Sequence, residues 1–77
     1  MSKFISEQIA EILTYEFSDI TVMTLISYCS ENIGKSPKSL SKEDLPSFGK
    51  QLLQSIFLLS DTEKISRIKQ KLQDLAH

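Results

Sequence analysis

The sequence predicts an all-α fold of four short helices, paired as two hairpins in a compact bundle or orthogonal array. Three observations lead there. Apolar residues recur at spacings of three and four, and nowhere do β-branched residues alternate with polar ones over a useful length. Only two glycines and two prolines interrupt 77 residues. The junctions Phe17-Ser18-Asp19 and Leu59-Ser60-Asp61 carry the same helix-starting chemistry. Their likeness reflects what a cap requires rather than an internal repeat.

The first helix is expected over residues 3–17, with Ile5, Ile9, Ile12 and Leu13 on one face and Phe4, Tyr15 and Phe17 widening it at its ends. A second helix follows Ser18, a good N-cap, with Asp19 placing negative charge where the helix dipole favours it. Its stripe is Val22, Leu25, Ile26, Cys29 and Ile33. Gly34 stands where the chain needs a left-handed residue to leave the helix.

Residues 34–40 form the one expected loop, because Pro37 forces Ser36 out of helical geometry. Ser41 and Asp44 resemble a capping box and predict a short turn over 41–45. Pro46 is tolerated only at a helix start, so the third helix is expected over 46–59. Ser60 and Glu63 form a second capping box ahead of a fourth helix reaching residue 76. Its seam of Ile65, Ile68, Leu72 and Leu75 suits packing against another helix. The expected organisation is a single domain over 1–77, with hairpins 1–33 and 41–77.

Size constrains this fold. A chain this short buries only about 60% of the surface its unfolded form exposes. One core at this length supplies roughly 3–5 kcal/mol, and small proteins commonly add a staple or a partner. Cys29 is the sole cysteine and forms no internal disulfide, and with His77 it is too little for a structural zinc site. A lone thiol, and an N-terminal stretch broken by Glu7 and Glu11, predict a cytoplasmic protein without a signal peptide or membrane span.

Charge is unevenly spread. Residues 1–33 hold one lysine against five acids, net −4, whereas residues 34–77 hold eight Lys/Arg against five acids, net +3. Such halves attract one another within one fold, or head to tail between copies.

Catalytic and cofactor chemistry finds no support. His77 is terminal, Cys29 lies in an apolar stripe without a basic partner, and Glu7 and Glu11 read as a solvated face. Gly34-Lys35-Ser36 lacks the earlier glycine of a phosphate loop. The 34–44 segment puts Lys, Ser and Pro where a calcium loop needs Asp or Asn. No helix is long enough for a histone-like arrangement. The expectation is a non-enzyme with no metal, no cofactor and no small-molecule substrate.

What stands out is Gln51-to-Ser60, QLLQSIFLLS, where six of ten residues are apolar and four are consecutive. At 100° per residue, Leu45, Phe48, Leu52, Ile56 and Leu59 fall within about 80° of each other and form a core stripe. Leu53, Phe57 and Leu58 lie off it, as Ile20 and Met23 lie off the stripe of the second helix. One reading makes the third helix the enclosed centre of the fold. The other makes Leu53, Phe57 and Leu58, with Met23 and Ile20, a surface for a partner.

The function so predicted is a non-catalytic helical protein–protein interaction module, an adaptor or regulator, binding another protein or a second copy of itself by helix-in-groove or helix-pair packing. The alternative is a weak nucleic-acid binder using Lys35, Lys38, Lys42 and the basic face Lys64, Arg67 and Lys71. A net charge of −1 makes its electrostatic attraction weak.

Overall fold

The computed structural model describes residues 4–76, so the expected helix start at residue 3 and the terminal His77 lie outside it. Four helices fold up and down in turn: α1 (Ile5–Leu13), α2 (Asp19–Asn32), α3 (Leu45–Ile56) and α4 (Thr62–Ala76). Two 3-10 turns, Pro37–Ser39 and Lys42–Asp44, lie in the connection between α2 and α3. No strand occurs among the described residues.

The helices form a ring: α1 packs on α2, α2 on α3, α3 on α4, and α4 back on α1. The turns joining α1 to α2 and α3 to α4 share one end of the bundle, hereafter the turn end. The longer connection occupies the other end. Cys29 meets Ser55 (Sγ to Oγ, 3.9 Å) and Asn32 meets Gln51 (Nδ2 to Oε1, 3.4 Å), which fixes α2 and α3 antiparallel. The Cα radius of gyration is 11.2 Å, close to the roughly 11.5 Å expected of a compact chain this long. Both hairpins therefore pack within one chain.

The ends of α2 follow the sequence expectation closely. Ser18 Oγ accepts from the Thr21 amide at 3.4 Å. At the other end Lys35 N–H donates to the Ser30 carbonyl and Gly34 N–H to that of Glu31, a Schellman motif closed by Gly34 at φ 76°. The buried side chain of Ser30 donates its hydroxyl to the Ile26 carbonyl at 2.7 Å.

The connection is more ordered than a plain loop. The Ser39 hydroxyl accepts from the Ser36 amide at 2.9 Å, and the Asp44 carboxylate accepts from the Ser41 amide at 3.0 Å. The second is the expected box; the first was not foreseen. Between them Leu40 is driven into the core, 7% exposed.

Three boundaries differ from expectation. α1 stops at Leu13 instead of reaching residue 17, because the Leu13 carbonyl accepts from both the Glu16 and Phe17 amides and the chain tightens into a turn. Phe17 stays packed on the core, but Phe4 and Tyr15 are exposed and do not widen the buried face. α3 ends at Ile56 instead of residue 59, so the helical wheel no longer places Leu59, which is 64% exposed rather than core. The cap of α4 is Asp61, not Ser60: its Oδ1 accepts from the Lys64 amide at 2.8 Å. The Ser60 hydroxyl is enclosed with no hydrogen-bond partner among the described residues, so no Ser60–Glu63 box exists.

One core results. Ile9, Leu13, Phe48, Leu52 and Ile56 are completely shielded from solvent, and Ile68 and Val22 nearly so. The inner face of α3 is buried, yet among the helices it packs closely on α2 and α4 alone, and Lys50, Gln54 and Phe57 on its other side are exposed. It is not the enclosed centre of the bundle.

Candidate interaction surface

The apolar residues left over by the core fall into two groups. The first lies along the α3–α4 pair. Leu45, Pro46, Gly49, Leu53, Leu72 and Ala76 line an open furrow of about 430 Å³, with Lys50, Lys69 and Gln73 along its lining. Gly49 lies in its lining, where a Cβ would stand 3.8 Å from Leu72 Cδ1, an ordinary contact. At Leu53 the furrow continues into a second depression, about 340 Å³, lined by Leu53, Gln54, Phe57 and Ile65. Leu53 is half-buried and packed on the core, whereas Phe57 is 68% exposed. Together the two depressions follow α3 from its first residue to the turn end.

The second group sits at the turn end. Eight large apolar side chains are exposed among the described residues. Six of them, Tyr15, Ile20, Met23, Phe57, Leu58 and Leu59, belong to the two turns or to the first five residues of α2. The structure thus joins Leu53 to Phe57, with Leu58 next in the chain, but sets Ile20 and Met23 apart on the outward side of α2. Met23 lines a shallow depression there with Tyr28 and Glu31. Leu59 and Tyr28 were missed in the sequence. Leu59 had been assigned to the core stripe, and Tyr28 falls on a helix side with too few apolar neighbours to signal a surface.

The cations of α4 face a different partner. Arg67 forms a two-point contact with Glu16, Nε to Oε1 at 3.2 Å and Nη2 to Oε2 at 3.1 Å. Lys64 Nζ lies 6.0 Å from the Phe17 ring centre, and Lys71 Nζ lies 4.5 Å from that of Tyr15. The segment Tyr15-Glu16-Phe17 therefore meets Lys71, Arg67 and Lys64 in antiparallel order. Attraction between the acidic and basic halves is realised here inside one chain. Planar two-point pairing gives such a contact directional strength beyond a simple surface pair. Lys35, Lys38 and Lys42 are exposed, the latter two on separate 3-10 turns.

Cys29 is fully buried, and that burial pushes its thiol above the ordinary value, partly offset by its contact with Ser55. A thiol so placed is a poor nucleophile. No cluster of three or more His, Cys, Asp or Glu side chains suited to a metal occurs among the described residues, and none of the helices is long and apolar enough to cross a membrane. A depression of about 590 Å³ between α1 and α4 is bordered by charges of both signs, Glu11, Asp74 and Lys71. Ile12, Tyr15 and Leu75 supply its apolar lining.

The hydrogen bond from Arg67 holds the Glu16 carboxyl below its ordinary value, against a smaller opposing effect of burial. The folded state therefore favours the carboxylate. Its contribution to stability is complete above the unfolded value, and declines as pH falls through the lower, folded one. Glu16→Gln is expected to flatten the fall in melting temperature between about pH 5 and pH 3 relative to the parent. Parallel acid-melting curves for the two proteins would show that the pair contributes nothing. No family model matches the chain, and no curated protein or solved structure gives a significant match to it.

Proposed function

We propose that this chain is a non-catalytic helical interaction module, an adaptor or regulator that receives a helix of another protein in the α3–α4 furrow. The observation that carries this reading is the furrow itself. An apolar floor that includes Leu45, Leu53 and Leu72 runs along one helix pair and opens to solvent, with no acid in its lining. Grooves of this kind receive amphipathic helices through anchors spaced by three and four residues. Leu53 contributes to the floor and Phe57 to the mouth.

Phe57 separates binding from folding because it is largely exposed. Phe57→Ala should leave the melting temperature nearly unchanged, since exposed substitutions generally alter stability by within about 0.5 kcal/mol. It should weaken binding of an amphipathic peptide with a leucine stripe and uncharged flanks by roughly fivefold or more, as loss of an aromatic anchor costs on the order of 1–2 kcal/mol. Fluorescence anisotropy on the two proteins decides this; equal affinities would remove the furrow from the account.

The turn end supports a second reading, self-association. Leu58 and Leu59 project beside Phe57 with little cover, and the same patch on a second copy would shield them. Light scattering at two concentrations should then give a mean mass rising above 8.8 kDa, and Leu58→Asp should return it to that value. A parent protein that stays at 8.8 kDa at both concentrations rejects self-association.

A further inference from the structure

We infer that the helix received by the furrow is acidic: an amphipathic segment of another protein with Asp or Glu on either side of its apolar stripe. This rests on the reading of the furrow given above and adds the chemistry of its occupant. Its lining contains two cations, Lys50 from α3 and Lys69 from α4, and no acid. Neither lysine has an ion pair among the described residues, in contrast to Arg67.

The acids of the two helices are elsewhere. α3 contains none, Asp74 borders the depression on the α1 side of α4, and Glu63 lies in the first turn of α4. Lysines flanking an apolar strip lay their aliphatic stems along it and hold the ammonium groups outward. There they favour an acidic partner and repel a basic one.

The dimensions suit a helix. Residues 45–57, which follow the furrow, rise about 18 Å along α3 at 1.5 Å per residue. A segment of about 13 residues would lie alongside them.

Two labelled peptides with one leucine stripe test this, one flanked by Glu and the other by Lys. At low salt the Glu peptide should bind roughly tenfold tighter, the effect of two surface ion pairs of ordinary strength. Added salt should narrow the gap. The double variant Lys50→Glu, Lys69→Glu should reverse the preference. Both side chains are exposed, so this variant keeps the fold, which its circular dichroism checks.

Equal binding of both peptides, or a preference unchanged in the double variant, overturns the acidic assignment and leaves the furrow a helix site. Binding of neither peptide overturns the furrow reading together with the inference. Loss of Glu-peptide binding as the protein is concentrated, accompanied by a doubled mass, would make a second copy the occupant and also overturn it.

Discussion

The structure depends on how α3 is buried. Phe48, Leu52 and Ile56 follow one another at helical spacing and are completely shielded, with α2 and α4 packed on either side of α3. Truncating a buried phenylalanine commonly costs about 3–5 kcal/mol, comparable with the whole stability a core of this size supplies. A ring of four helices gives each one only two close neighbours, however. α3 carries more apolar circumference than α2 and α4 cover between them. Leu53 and Phe57 are the excess, and the furrow follows from that geometry.

The contact between α4 and the α1–α2 turn has a different role. It ties the first hairpin to the second with charge and aromatic faces rather than apolar bulk. The uneven charge along the chain is resolved in this contact: Glu16 comes from the acidic half, and Lys64, Arg67 and Lys71 from the basic half. The basic face of α4 thus makes contacts within the fold while Arg67 and Lys71 stay exposed. Lys50 and Lys69, by contrast, stand beside apolar surface with no ion pair among the described residues.

Local chemistry was the most legible part of the sequence. Ser18, Gly34 and the Ser41–Asp44 box depend on residues close in sequence and the seam of α4 on a regular spacing, and each stands in the structure where expected. The end of α3 was misread because a helical wheel assumes the helix continues. Asp61, one residue beyond the expected cap, takes the Lys64 amide, and Leu59 is left outside the helix. Leu40 was not assigned to the core because burial inside a connection has no period. Leu53 and Phe57 were recognised as off the core stripe. That they form a furrow was not legible, since its other wall comes from α4 residues distant in sequence, Lys69, Leu72, Gln73 and Ala76.

The measurement that bears most directly on this account is the location of binding. Amide resonances of isotope-labelled protein, followed as the Glu-flanked peptide is added, report it residue by residue. The account predicts shifts concentrated at Gly49, Lys50, Leu53, Phe57, Lys69 and Gln73, with the outward side of α2 unchanged. Shifts centred on Met23 and Tyr28, or on the depression between α1 and α4, would contradict it.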